Sequence, residues 1–473
     1  LPRWQCSLSC PLGSRPGAAF GRQGAGEAEM MRATRRTLLK GSVGLALTAI
    51  GPLTVFDTAA AADGVLSFGD ATITVVDTTV GSAELWAEVP VKLTAPTTCT
   101  IVLEYETLNG NGTIGVLPGT ATAGADFVVA RGFLVFQPGE QVKLVRIPLV
   151  RPLEAGKSII LQISDYGYPL FGFAHTAGEV RSSEQPSIAT AYANDEVALP
   201  PLPSHGSVIF SDRLLDRDFA SDDGHSPSGA PCWQSRLATG RRQDGNRELG
   251  YYADPALNPE TTVWGIDPAT GCRFIQAEYH DEGLSDGQGG KLAPGWRKET
   301  PFRFSAAIVT SRTLFNRITI DSYVEFDIRM TKVPGSWPGL WLLPVAPGWP
   351  PEIDILEAYI TASPQYRDDV IFSSIHWKGE KGPDAHGAAM PLGLVEDGAN
   401  LFSRFNRFGC LIGKQQIVYY FNDKPYCAMP NLVGAGPWYM LMDVAVGGPA
   451  GEPSDPGAFP ARLYIAGVKV IQF

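Results

Sequence analysis

Hydrophobic positions in this chain recur in short runs, and glycine, proline and polar turn residues separate the runs. Val142-Lys143-Leu144-Val145-Arg146-Ile147-Pro148-Leu149 is one of them, with an alternation that predicts a half-buried strand and basic side chains outward. Pro138-Gly139-Glu140 supplies the turn that leads into it. No window sustains a helical period. The 52 glycines and 38 prolines among 473 residues suit many strands and turns better than long helices, so the pattern predicts an all-β protein.

The alternation is broken most tellingly at Pro351-Glu352-Ile353-Asp354-Ile355-Leu356-Glu357-Ala358, where three acids share an apolar segment. Residues two apart on a strand share a face, so Glu352 and Asp354 point the same way. Glu357 is at an odd offset and would point to the other side. One bulge between Asp354 and Glu357 adds a residue and returns it to the first face. Ile353 and one of Ile355 or Leu356 then fill the core behind. Glu352 and Glu357 become effectively four positions apart, roughly 13 Å at the backbone. Side chains leaning inward close that to about 5–5.5 Å, the separation used by a retaining glycosidase. Such a pair needs one ionised carboxylate to attack and one protonated carboxyl to release the leaving oxygen, and crowding like charges drives their proton affinities apart. Asp354 between them would hold the nucleophile and help set its charge. An acidic edge strand that keeps the sheet from aggregating would carry the same pattern.

The neighbouring runs favour chemistry. Pro334-Gly335-Ser336-Trp337-Pro338-Gly339-Leu340-Trp341-Leu342-Leu343-Pro344 brings two tryptophans beside the acidic strand, and indole faces pack well on sugar C–H faces. Ser373-Ser374-Ile375-His376-Trp377-Lys378-Gly379 follows, and His376 is placed to bond the acid/base or a sugar hydroxyl. The last long run is Trp438-Tyr439-Met440-Leu441-Met442-Asp443-Val444-Ala445-Val446-Gly447-Gly448. Taken together, residues 206–473 resemble glycoside hydrolase family 16, the laminarinase and lichenase group, in its bulged form. The resemblance implies a β-jelly-roll sandwich (concanavalin A-like) with an open cleft. It implies Glu352 as nucleophile, Glu357 as acid/base and Asp354 as the assisting acid. It places Trp337, Trp341, Asn246, Glu248 and Arg312 at the sugar, with no cofactor needed for catalysis. Departures from the family pattern lie at Asp321-Ser322 before Glu325, at Asp327, at Asn406 and Ile412, at Asp443 and at Ala466.

The amino-terminal half reads differently. Residues 196–206, EVALPPLPSHG, form a proline-rich stretch whose linker, 198–205, is expected to run extended. Before it, Thr120-Ala121-Thr122-Ala123-Gly124-Ala125-Asp126-Phe127, Phe136-Gln137-Pro138-Gly139-Glu140 and Asn194-Asp195-Glu196 resemble a Calx-β domain over residues 64–197. That implies an immunoglobulin-like sandwich serving as spacer or adhesion module. Ca²⁺ is held by loop carboxylates in some members, and Glu104, Asp126 and Asp195 are the candidates here; solvated turn acids are the alternative.

Charge and the first residues bound the setting. The net charge of −11 offers no basic face for nucleic acid and fits a neutral polymer better. Residues 1–29 carry no usable pattern and are read as a mis-called start. Residues 30–62 join a basic stretch to a short apolar run broken by Gly44, Gly51 and Pro52, followed by Ala59–Ala62. That order is an export signal rather than a membrane span, and Thr34-Arg35-Arg36-Thr37-Leu38-Leu39-Lys40 resembles the twin-arginine signature. The protein is therefore expected outside the cytoplasm, periplasmic or extracellular, as a monomer. Beyond the leader stand Cys99, Cys232, Cys272, Cys410 and Cys427, without the spacing of a metal cluster; Cys410 and Cys427 either pair across a hairpin or stay as buried thiols. Two readings follow. The first is an endo-acting, retaining hydrolase of β-1,3- or mixed β-1,3/1,4-glucan, or of another polysaccharide such as an exopolysaccharide, agar or carrageenan. The second is a carbohydrate-binding or adhesion protein that keeps the fold without turnover.

Overall fold

The computed structural model describes residues 66–68, 85–93, 96–108, 113–114, 117–118, 121–151, 153–154, 157–169, 175–181, 197–292, 301–363, 367–380 and 382–473. The expected leader and Asp195 lie outside the described residues. Chain contacts separate two compact units, with the boundary between Val197 and Ala198.

In the amino-terminal unit, Leu85–Leu93 pairs antiparallel with both Leu66–Phe68 and Val142–Leu149. A second sheet runs in the order Arg131–Phe136, Ile101–Leu108, Ser158–Pro169, His175–Arg181. Alternation explains the packing. Ala87, Val89 and Val91 turn inward and join Val145, Ile147, Leu103, Phe136 and Phe127 in one buried core. Between them, Glu88 faces outward and meets its register partner Arg146 at 2.8 Å. A half-exposed cross-strand pair of this kind contributes at most about 1 kcal/mol, so the core carries the unit.

The carboxyl-terminal unit is an all-β, jelly-roll-like sandwich of mainly antiparallel strands. One sheet runs through Phe304–Thr310, Trp438–Val446, Ser336–Pro344, Glu352–Glu357, Val370–Gly379 and Gly382–Pro391. The other places Ser322–Met330 between Ala461–Gln472 and Asn406–Ile412, and continues through Gln416–Phe421 to Lys424–Pro430. Side chains from the second sheet reach the first. The Tyr419 hydroxyl donates to the Ser374 carbonyl at 2.9 Å, and the Tyr426 and Ser373 hydroxyls meet at 2.8 Å. Both tyrosines are almost fully buried, so these bonds remove the cost of sealing their hydroxyls in the core.

Two expectations gain detail. The proline-rich stretch is anchored: Leu199 and Leu202 pack on Tyr323, Tyr420 and Ala428, and the Tyr420 hydroxyl donates to the Pro200 carbonyl. Its apolar residues have a surface to cover. Cys410 and Cys427 do not pair. Both sit opposite Tyr419, one on each neighbouring strand. Two strand spacings, about 9.5 Å, exceed the reach of a disulfide.

Candidate active site

The acidic strand Glu352–Glu357 lies between Ser336–Pro344 and Val370–Gly379. Leu340 faces Leu356, and the next residue, Trp341, faces Asp354, so Ile355 is the extra residue of a bulge. On the other side Asp354 faces Ser374 and Glu357 faces Phe372, which again leaves three steps against two. The bulge brings Glu352, Asp354 and Glu357 to one face. Ile353, Ile355 and Leu356 are all fully buried, where the sequence pattern assigned only one of the last two to the core. Each burial contributes roughly 1.5–3 kcal/mol, which holds a strand carrying three acids in place.

Each acid has its own surroundings. Asp354 is 3% exposed, and its Oδ2 accepts from the Ser374 hydroxyl at 2.5 Å and lies 3.0 Å from His376 Nε2. Glu352 faces His376 across the strands, with Oε1 at 3.8 Å from Nε2, and its Oε2 accepts from Trp349 Nε1 at 3.0 Å. His376 thus serves Asp354 and the Glu352 side. Of the partners expected for it, the acid/base or a sugar hydroxyl, strand register sets Glu357 at the other end of the row. Tyr359 and Trp337 stand beside Glu357 as neutral polar groups that favour its charged form, and their rings meet edge to face at 5.5 Å. Burial pushes the proton affinity of Glu352 well up, and the charges of Asp354 and Glu357 push it further. Burial does the same to Glu357, with Asp354 next in weight. Two carboxyls that resist ionisation and feel each other ionise in steps, so one holds its proton while the other gives it up.

A second group of acids flanks Glu357. Asp443, on Trp438–Val446, faces Gly339, and Gly339 faces Glu357 on its other side. A β-carbon at Gly339 would stand 2.5 Å from Asp443 Oδ1, so the missing side chain gives Asp443 its place between the strands. Trp341 Nε1 donates to Asp443 Oδ1 at 2.8 Å, and the Tyr252 hydroxyl lies 3.3 Å from Oδ2. Nearby, Glu248 Oε1 accepts from Asn246 Nδ2 at 3.2 Å. Burial raises Asp443 well above the carboxylate range, with Glu248 the next cause. Burial also raises Glu248, to about 7. Arg312 lies over the Tyr439 ring, 5.8 Å from its centroid.

The carboxyl-terminal unit is similar to two bacterial β-glycanases. One is the endo-1,3-1,4-beta-glycanase EglC of Rhizobium meliloti (strain 1021), 25% identical over 257 residues, which are 53% of this chain and 50% of that protein. The other is the endo-1,3-1,4-beta-glycanase ExsH of the same organism, 26% identical over 227 residues, 47% of this chain and 43% of that one. The chain spans about half the length of these curated relatives. Among solved structures, the laminarinase catalytic domain of Thermotoga maritima MSB8 matches 57% of this chain and 98% of its own, at 20% identity and a TM-score of 0.42. SCLam, a non-specific endo-β-1,3(4)-glucanase from family GH16, matches 58% of this chain and 94% of its own, at 20% identity and a TM-score of 0.43. No family model matches the chain.

The structure brings most of the expected residues together. Trp337 and Trp341 share the acidic face; Trp337 stands beside Glu357, and the Trp341 indole N–H donates to Asp443. Asn246 and Glu248 bond each other, and Glu248 bears on Asp443 through its charge. Trp349, Ser374, Tyr252 and Gly339 escaped the sequence reading. Trp349 had a signal, since it stands just before Pro350-Pro351-Glu352. The others act across strands that no local period links. Several departures from the family pattern fall on the opposite sheet: Glu325 pairs there with Lys469 at 2.8 Å, and Asn406 bonds the Asn400 and Arg404 carbonyls. In the amino-terminal unit, Asp126 bonds Arg151 and Lys157 at 2.7 and 2.9 Å, and Glu104 lies 3.3 Å from Arg131.

Proposed function

We propose that residues 206–473 act as a family 16 glycoside hydrolase that cuts β-1,3- or mixed β-1,3/1,4-glucan internally with retention of configuration. The observation that carries this reading is the bulge at Ile355, which puts Glu352, Asp354 and Glu357 on one face. The likeness to EglC and ExsH supports the substrate class. In the first step, Glu357 gives its proton to the glycosidic oxygen while ionised Glu352 attacks the anomeric carbon. Asp354, fixed by Ser374 and His376, faces Glu352 and is placed to bear on its charge. In the second step, Glu357 takes a proton from water, and water releases the sugar from Glu352. Trp349, bonded to Glu352 and tilted over His376 at 6.0 Å, offers a partly exposed ring to a sugar face beside the reacting carbon.

The preceding unit is read as a Calx-β-like spacer, and the leader as a twin-arginine signal that carries the folded, monomeric chain out of the cytoplasm. Among the described residues no helix is long and apolar enough to cross a membrane. Reducing-end release on laminarin, lichenan, barley glucan, agarose, carrageenan and bacterial exopolysaccharides tests the reading. Cleavage of a β-glucan is the expected result. Cleavage of another polymer alone would move the substrate. Binding without cleavage anywhere on the panel would replace the hydrolase with a carbohydrate-binding protein.

A further inference from the structure

Two glycines follow the strand Trp438–Val446, and the second stands where a turn and an indole meet. Gly447 and Gly448 both hold positive φ, +86° and +56°. A β-carbon at Gly448 would stand 2.9 Å from Trp337 Cζ3 and 3.0 Å from the Asn246 carbonyl oxygen. Contacts of this kind settle at about 3.5–4.0 Å, so a side chain there displaces a neighbour. The fold decides which one. The turn is pinned on both sides of Gly448: the Leu249 N–H donates to the Val446 carbonyl at 2.7 Å, and Glu248 bridges Gly447 in antiparallel register. A β-carbon at Gly447 would meet Leu249 Cγ at 2.7 Å, so these two segments already lie in close contact. The Gly447 N–H donates to the Gly335 carbonyl at 2.9 Å, which ties the glycines to the start of the strand that carries Trp337. The indole, by contrast, is held by side-chain packing. It meets Tyr359 edge to face, and Tyr359 lies 4.5 Å from the Phe372 ring. Its side-chain torsions can turn at less cost than the pinned backbone can shift, so the displacement falls on Trp337. Trp337 is two residues before Gly339 on the same face, and Gly339 faces Glu357.

We propose that Gly448 is a positioning residue of the candidate active site: its missing side chain lets the Trp337 indole lie against the Asn246 turn, and so sets the indole beside Glu357. Three segments that are far apart in sequence, at Asn246, Trp337 and Gly448, converge on one position that only a hydrogen can fill. The consequence for catalysis rests on the hydrolase reading; the placement of the indole does not.

The experiment has two arms on the full chain. The first needs no substrate. Fluorine NMR of protein labelled with fluorotryptophan reads each indole, and the signal lost in Trp337→Phe assigns Trp337. Gly448→Ala is compared with Gly271→Ala, a glycine of the same unit at φ +67° with open space at its β-position, which controls for backbone strain alone. The Trp337 signal is expected to move in Gly448→Ala and to stay in Gly271→Ala. A Trp337 signal that Gly448→Ala leaves in place overturns the proposal, whether or not the chain hydrolyses anything. If Gly448→Ala does not fold, its pair with Trp337→Ala decides: the double variant is expected to fold, because the displaced ring is gone, and a double variant that also fails overturns the proposal. The second arm is a double-mutant cycle on the glucan that the wild type cleaves. Gly448→Ala is expected to lower kcat/KM about tenfold, and Gly271→Ala to leave it near the wild-type value. In a Trp337→Ala background, Gly448→Ala is expected to cost less than about threefold more. A full further loss in that background would mean that Gly448 acts through something other than the indole, against the proposal. A wild type that cleaves nothing sinks the hydrolase reading, and the first arm still decides the position of the indole.

Discussion

Asp126 in the amino-terminal unit and Glu357 in the carboxyl-terminal unit are both shielded acids on β-scaffolds, and their surroundings drive them in opposite directions. Asp126 accepts from Lys157, from the Thr122 backbone N–H and from Arg151, and these bonds hold its carboxyl well below the usual range. Glu357 is pushed up by burial and by Asp354, with only neutral donors to offset it. The same side-chain chemistry ties a turn together where cations surround it and holds a transferable proton where they do not. The opposite face of the carboxyl-terminal unit repeats the first pattern, since Glu325 is matched by Lys469 and Arg407. Among the described residues, Glu357 and Asp443, on the sheet that carries the bulge, have no such Lys or Arg partner.

The largest expected break in this contrast comes from the acids themselves. Glu352→Ala or Glu357→Ala is expected to lower kcat by about a thousandfold or more, measured by reducing-end release, with the thermal transition kept. Gly339→Ala comes next. Its β-carbon would meet Asp443 Oδ1 at 2.5 Å, so Asp443 must move, and a fall in kcat/KM of about tenfold is expected without a comparable loss of stability. A Gly339→Ala enzyme as active as wild type would show that the position of Asp443 is immaterial.

Smaller effects test the linkage of protons to folding. Glu248 is raised to about 7 in the folded protein against about 4.3 unfolded, so its contribution is complete below about pH 4 and is lost as pH rises through 7. The loss is on the order of 3 kcal/mol, and urea unfolding of Glu248→Gln across this window is expected to flatten it. Asp126 has the opposite sign. Its folded proton affinity is lowered, so its contribution is present at neutral pH and fades as pH falls below about 4. Asp126→Asn is expected to lower the melting transition of its unit at pH 7 and to differ little from wild type at pH 2.

How far the sequence could be read follows from which contacts are local. Parity along one strand exposed the bulge and the shared face of Glu352, Asp354 and Glu357, because a period of two is a local rule. Alternation likewise marked Val142–Leu149. Ser374 and Gly339 matter only through strands paired with the acidic one, and Tyr252 reaches Asp443 across 191 positions of sequence, so no period announces them. His376 was legible as a site residue, but its partner was not, since only register decides between Glu352 and Glu357. In 198–205, proline content bears on the chain's own conformation and is silent on the surface that Leu199 and Leu202 cover.

The most direct test of the paired-carboxylate account is the anomeric form of the first product, followed by proton NMR during early cleavage of a β-glucan. The account predicts the β-anomer first, with later mutarotation, and loss of the signal in both Glu352→Ala and Glu357→Ala. An α-anomer formed first, or undiminished hydrolysis by Glu352→Ala, would contradict it.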